Sequence, residues 1–238
     1  MDVSTIGTRN MLELAKQKNV EGFLFTSSSE VYGDPPDQYI PTPETYNGNV
    51  SISGPRACYD ESKRVGETLC YINSNFFDKK TAIIRPFNVY GPGMSMNDYR
   101  IIPNITRSLV FNEELKIYDT GTQTRTYCYV SDAINGFLKV IIKDEKFGIY
   151  NIGTNEEITI AELAMMIGHH FGRLVEIIPS DLAEGGTSRR CPDLTKLIAL
   201  GYQPRFSLRQ GLRLVASWYD QHADQHLRLL NGREDGIK

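Results

Sequence analysis

Cysteine is scarce in this 238-residue chain: four residues, Cys58, Cys70, Cys128 and Cys191. No two have C-x-x-C spacing, so neither a cysteine-ligated zinc site nor a redox pair is indicated, and free thiols of a reducing compartment are expected. Long apolar runs are missing. Nothing approaches the ~20 residues that span a bilayer, and the opening MDVSTIGTRN lacks a signal-peptide core, so a cytoplasmic location without membrane contact is the expectation. A surplus of one charge is missing too. Lys and Arg total 26 against 29 Asp and Glu, a net charge of −3, which gives no default preference for nucleic acid. Histidines are few. His222 and His226 stand four apart on a predicted helix, a metal-ligand spacing, but without a third ligand a solvated helix face and no metal are expected. Finally, no G-x-G-x-x-G follows a predicted strand.

What is present is an ordinary globular composition, 40% apolar and 23% charged, with room for about one to two domains at ~100–200 residues each. Ile6, Met11, Leu14 and Ala15 have helical spacing, so the chain opens on a helix to about Lys18. Residues 22–26 and 81–85 are short apolar runs that read as buried parallel strands. A helix over about 58–73 lies between them. A helix near 101–111, a strand at 116–118 and a strand-like stretch over 125–130 follow. Ser131 or Asp132 is positioned to cap the next helix, to about Lys143. Residues 147–152 read as a third apolar strand and 175–178 as another. Thr159 with Glu162, and Ser207 with Gln210, form capping boxes that open two helices. Asp193 can cap a short helix that stops at Gly201. Helices alternating with buried strands mean an α/β fold with parallel pairing.

Tyr59 and Lys63 form a Tyr-x-x-x-Lys. On a helix, i and i+4 share a face, so phenol and ammonium lie side by side. A neighbouring cation favours a phenolate, and a phenolate can act as general base toward a hydroxyl. Alone the motif is common and a surface pair is its bland reading. Its surroundings sharpen it. Residues 26–33 end one buried strand and residues 85–92 end the next, so three polar clusters converge on the carboxyl edge of a parallel sheet, where open α/β folds place ligands.

These residues, in the motifs SSSEVYGDP (27–35), GPRACYDESKRVGET (54–68), RPFNVYGPGMSMND (85–98), IYDTGTQTRTYCYVSD (117–132) and RCPDLTKLIALGYQP (190–204), carry a resemblance. The chain resembles the extended short-chain dehydrogenase/reductases that act on nucleotide sugars, and within them the UDP-glucuronate decarboxylase branch. The resemblance implies an incomplete Rossmann-like, doubly wound parallel sheet with a smaller α/β substrate-binding domain. Residues 1–92 and 130–155 are expected to form the first, residues 93–129 and 156–230 the second, and 231–238 a frayed tail.

By the same resemblance, Tyr59 takes the sugar C4 hydroxyl proton while hydride passes from C4 to NAD. Lys63 holds the nicotinamide ribose and supports Tyr59, with Ser27 and Pro86 also at the cofactor. Ser28 bonds the C4 oxygen. Glu30 and Arg190 match residues tied to decarboxylation of the 4-keto acid, whose electrons flow into an enolate. Asn88, Arg100, Tyr118, Gln123 and Arg125 match positions that hold UDP; the arginine fork suits a diphosphate. Ser62 stands where the family has glycine in YDEGK, and Gly93 where it has arginine. The family's glycine-rich loop precedes the point where Met1 sits, so the cofactor pyrophosphate is expected to lack its amide cradle here. A homodimer, or a partner covering the exposed sheet edge at residues 23–26, is expected. Two other readings stay open: a homologue that binds a UDP-sugar or a partner without NAD, and a nucleotide-sugar 4-epimerase or 4,6-dehydratase.

Overall fold

A computed structural model describes residues 1–77, 80–98, 100–113, 116–118, 121–144, 146–175, 177–180 and 187–234, with side chains outside the description at 77, 116–118, 178–180 and from 223 onward. The chain divides into two compact units: Met1–Val89, Gln123–Glu157 and Ala183–Arg205 in one, Tyr90–Thr122, Ile158–Leu182 and Phe206–Lys238 in the other.

The first unit is built on a parallel sheet of β1 (Phe23–Thr26), β2 (Thr81–Pro86) and β7 (Phe147–Ile152), in the order β1-β2-β7. Phe25 lies opposite Ile83, and Ile83 opposite Ile149. Side chains alternate along a strand, and here both faces are covered, which is why β2 reads as an unbroken apolar run. On one face α1 (Asp2–Gln17) and α2 (Ala57–Phe77) bring Leu12 and Cys70 against Phe25 and Ile83. On the other, α4 (Val130–Lys143) and α6 (Thr195–Ala199) bring Ala133, Val140 and Leu197 against Ala82, Ile84 and Ile152. Burying each of the leucine, isoleucine, valine and phenylalanine side chains among them contributes about 1.5–3 kcal/mol. The fold is thus α/β with a doubly covered parallel sheet. The opening helix lies on the face of this sheet, and β1 is its outermost strand.

Gly66 sets how closely α2 approaches β1. A Cβ there would come within 2.3 Å of Phe25 Cζ, so only glycine lets the helix settle onto the strand. Smaller strands complete the unit, among them β5 (Thr124–Thr126), β6 (Cys128–Tyr129) and β10 (Arg189–Arg190), with β10 parallel to β5.

The second unit packs three helices together: α3 (Ile101–Phe111), α5 (Ile160–His170) and α7 (Leu208–Glu234). Ile102, Ile105 and Leu109 of α3 are buried, as are Ile160, Leu163 and Ile167 of α5. So are Leu208, Leu212, Val215 and Tyr219 of α7, the face that the sequence pattern outlines. The short strands β4 (Lys116–Tyr118) and β9 (Ile178–Ser180) pair in parallel. Strands β3 (Val89–Tyr90) and β8 (Glu157–Thr159) lie where the chain passes between the units.

Both capping boxes form. Thr159 Oγ1 accepts from Glu162 N at 3.1 Å while the Glu162 carboxylate accepts from Thr159 N at 3.0 Å. Ser207 and Gln210 make the same exchange. Two expectations are corrected. Helix α4 starts directly from β6 with Tyr129 at its N-cap and no side-chain cap. Ser131 and Asp132 are already inside the helix, and the buried Asp132 carboxylate instead accepts from Arg205 N. The strand expected over 175–178 lies at Ile178–Ser180.

Candidate active site

Tyr59 and Lys63 lie on the first two turns of α2. The Lys63 ammonium donates to the Thr26 carbonyl at 2.9 Å, at the carboxyl end of β1. It sits 5.7 Å from the Tyr59 ring centroid and 5.5 Å from that of Phe25. Burial lowers the Lys63 pKa from its ordinary value, as expected when an ammonium loses part of its water. Tyr59 is 45% exposed. Phenol and cation therefore share one side of the helix, at the rim of the parallel sheet.

The polar run after β1 turns at once into a short 3-10 turn, Ser29–Tyr32, with Ser28 as its N-cap. The Ser28 hydroxyl accepts from Glu30 N at 3.2 Å. Gly33 ends the turn at φ 62, in close contact with Asn49, where a Cβ would meet the Asn49 carbonyl. Glu30 is thereby aimed at Arg190 of β10. The two form a two-pronged ion pair: Nη1 to Oε1, and Nη2 to Oε2 at 3.1 Å. Arg56, just before α2, adds a second cation at 2.5 Å from Glu30 Oε2. Burial works to raise the Glu30 pKa, but Arg190 and Arg56 together outweigh it and hold the carboxyl below its ordinary value. Glu30 is thus a fixed anion whose oxygens are already engaged.

Arg125 lies opposite Arg190 in the β5–β10 pair. It donates to the carbonyls of Thr124 at 2.8 Å and Thr187 at 2.7 Å. Burial, with Arg190 adding to it, brings its pKa down to about 10, still charged at neutral pH.

Glu30, Arg56 and Arg190 line a cavity of about 260 Å³ together with Asp34, Asp60 and Thr187. Asp60 follows Tyr59 in sequence and is 7% exposed; its Oδ1 has no hydrogen-bond partner among the described residues. Burial and the nearby Glu30 carboxylate raise its pKa, and they prevail over Arg56 and Arg190.

Beneath the strand ends runs a buried polar network that sequence reasoning does not find. The Arg85 guanidinium donates to Glu67 through Nε (2.8 Å) and Nη2 (2.5 Å), and through Nη1 to the Tyr32 hydroxyl (2.8 Å). Tyr32 donates to Asn151 Oδ1 at 2.7 Å, and Asn151 Nδ2 donates to the Thr42 and Asp193 carbonyls. Ser27 belongs to this network: its hydroxyl donates to Glu67 Oε1 at 2.5 Å. Charged partners of this kind are costly to leave unpaired when buried, so the network ties together the ends of β1, β2 and β7.

The remaining sequence-predicted residues lie as follows. Pro86 closes β2 opposite Ile152. Asn88 adopts φ 41 and donates to the Thr126 carbonyl at 2.8 Å. Gln123 is half-buried just before β5. Arg100, in the second unit, forms an ion pair with Asp98 at 2.5 Å. Tyr118 belongs to β4 by its backbone, and its side chain lies outside the described residues. His222 stacks on Trp218 and contacts its carbonyl at 2.7 Å, while the His226 side chain lies outside the described residues. Among the described residues no group of three potential ligands gathers to hold a metal.

For a nicotinamide cofactor, the donor set fits one end of the molecule. The Lys63 ammonium and the exposed Tyr59 phenol, at the carboxyl end of β1, suit a ribose. A pyrophosphate cradle of the G-x-G-x-x-G kind is not among the motifs of this sequence.

The profile of the "NAD dependent epimerase/dehydratase family" matches residues 1–153. The chain is 41% identical over 213 residues to UDP-glucuronic acid decarboxylase 5 of Arabidopsis thaliana, an alignment covering 89% of this chain and 61% of that protein. Among solved structures, UDP-glucose 4-epimerase from Thermotoga maritima, with UDP-glucose, aligns at a TM-score of 0.86 and 25% identity over 93% of this chain and 71% of that one. MoeE5 in complex with UDP-glucuronic acid and NAD aligns at a TM-score of 0.79 and 25% identity, over 92% and 71%.

Proposed function

From the premise that this chain belongs to the NAD dependent epimerase/dehydratase family, we propose that it carries the substrate-handling residues for decarboxylation of UDP-glucuronate to UDP-xylose through a 4-keto intermediate. The observation that carries the reading is the Glu30–Arg190–Arg56 cluster in a cavity reached from the start of the Tyr59–Lys63 helix. A glucuronate has a carboxylate that a neutral sugar lacks, and a cavity with two arginines on one glutamate suits an anion. The similarity to a UDP-glucuronic acid decarboxylase supports the same choice. The chain spans 61% of that relative's length, so the activity is proposed for the protein these residues serve.

The roles follow from chemistry. NAD, when bound, accepts and returns the hydride of the family's reactions. Tyr59 takes and returns the proton of the C4 hydroxyl, which Ser28 orients. Lys63 keeps a positive charge beside that phenol and faces the cofactor ribose. Once C4 is a ketone, the carboxylate is β to a carbonyl, and carbon dioxide leaves as its bonding pair enters an enolate, which then takes a proton from water at C5. Arg190, held by Glu30, stabilises negative charge through that step. Asn88, Arg100, Tyr118, Gln123 and Arg125 hold the nucleotide. Ser27 and Pro86 stand beside the cofactor, with Ser27 acting through Glu67. We propose a homodimer as the assembly, because α1 and α2 present the exposed apolar side chains Val3, Ile6, Met11, Leu14, Ile72 and Phe76.

The test is to incubate the chain with UDP-glucuronate and NAD and follow carbon dioxide release and UDP-pentose by mass spectrometry. Carbon dioxide release is the expected result. A product of unchanged mass would identify 4-epimerisation, which the likeness to UDP-glucose 4-epimerase favours as the second reading. Binding without any turnover would identify a non-catalytic homologue.

A further inference from the structure

Asp60 is the buried acid of the cavity that the proposed roles do not use. It faces Glu30 from the turn after β1, Arg190 from β10, and Arg56 and Glu61 from its own stretch of chain. Its Oδ1 is buried without a hydrogen-bond partner among the described residues. A buried carboxylate oxygen without a partner has lost its water and gained nothing in return. An acid in the first turn of a helix ordinarily gains from the helix dipole when ionised; burial and the neighbouring Glu30 anion act the other way and raise the Asp60 pKa. The charge count of the cavity explains the consequence. Arg56 and Arg190 face Glu30, Asp34 and an ionised Asp60, a formal charge of −1 that opposes an anionic ligand. With a proton on Asp60 the two arginines balance Glu30 and Asp34, the net repulsion is gone, and the carboxyl gains a hydrogen to donate.

We propose that Asp60 is the residue that reads the acid group of the sugar: it takes up one proton as a carboxylated ligand enters and donates a hydrogen bond to that ligand's carboxylate. This rests on the nucleotide-sugar reading above and adds a proton-linked selectivity to it. Arg56, 45% exposed at its side chain and bonded to Glu30 through one oxygen, is placed to share the same ligand carboxylate.

The test is isothermal titration calorimetry of the full chain with UDP-glucuronate and with UDP-glucose, in buffers of different ionisation enthalpy between about pH 5 and 8. Wild-type protein should bind UDP-glucuronate with uptake of up to one proton, weakening by as much as about tenfold per pH unit as pH rises. UDP-glucose should bind without proton uptake. Asp60→Asn, checked for folding by circular dichroism, should take up no proton with UDP-glucuronate and show a flat pH dependence. Wild-type binding of UDP-glucuronate without proton uptake would overturn the proposal without recourse to any variant, as would undiminished uptake in Asp60→Asn. Binding of UDP-glucose alone would overturn it while leaving the nucleotide-sugar reading standing, and binding of neither ligand would overturn both.

Discussion

Replacing Arg190 with alanine tests the electrostatic logic of the cavity directly. Arg190 is 8% exposed, and its guanidinium meets both oxygens of Glu30, a side chain itself 16% exposed. Removing one partner of a fully buried ion pair typically costs about 3–5 kcal/mol, because the other charge stays behind without compensation. Here Arg56 remains on Glu30, so the expected cost is lower, about 1–3 kcal/mol. Glu30 has a depressed pKa in the folded protein, so its contribution is present above the unfolded value of about 4.3 and is lost as pH falls through the lower folded value. Without Arg190, burial regains weight and the Glu30 pKa rises. The variant should therefore be less stable at neutral pH and lose less of its remaining stability on acidification. Urea denaturation at neutral and acid pH measures both, and a double-mutant cycle with Glu30→Gln isolates the pair. The reasoning fails if Arg190→Ala matches wild type at neutral pH, or if the acid-dependent loss is unchanged.

Three further outcomes are expected. Gly66→Ala drives a methyl group into Phe25 and should destabilise the protein by about 1–3 kcal/mol, read as a lower melting temperature; an unchanged melting temperature would mean that α2 does not need this approach to β1. Arg85→Met strips Glu67 and the Tyr32 hydroxyl of their buried cation and should cost about 3–5 kcal/mol in chemical denaturation, with a loss under 1 kcal/mol counting against the network. Tyr59→Phe and Lys63→Met should each reduce turnover of UDP-glucuronate by about 10²–10⁴-fold while the protein stays folded by circular dichroism; near-normal turnover in either would remove that residue from the proposed chemistry.

What the sequence discloses and what it hides divide along physical lines. The run Ala82-Ile83-Ile84 reveals a strand buried on both faces, because no polar residue interrupts it. The boxes at Thr159 and Ser207 reveal helix starts, because both partners of each exchange lie within four residues. Asp132 misleads, because its carboxylate is spent on Arg205, far along the chain. The same limit governs the site. Tyr59 and Lys63 are legible as a helical pair. Glu30 and Arg190 come forward only through motif resemblance, since nothing local predicts that they meet. Asp60 and Arg56 lie inside a motif that is easy to quote, yet their roles emerge only from what the fold sets beside them. The Arg85–Glu67 network is invisible in sequence, being made of contacts between separate elements.

The partners that clamp Glu30 are contributed by stretches far apart in the chain, one opening a helix of the sheet's flank and the other a two-residue strand near residue 190. The ion cluster therefore forms only after the late-sequence strand has docked beside β5. Local opening of that strand would disarm the cavity while the three-stranded sheet, with its own closed cores on both faces, stays intact. Proteolytic nicking near β10 should accordingly abolish ligand binding well before the secondary structure of the sheet is lost.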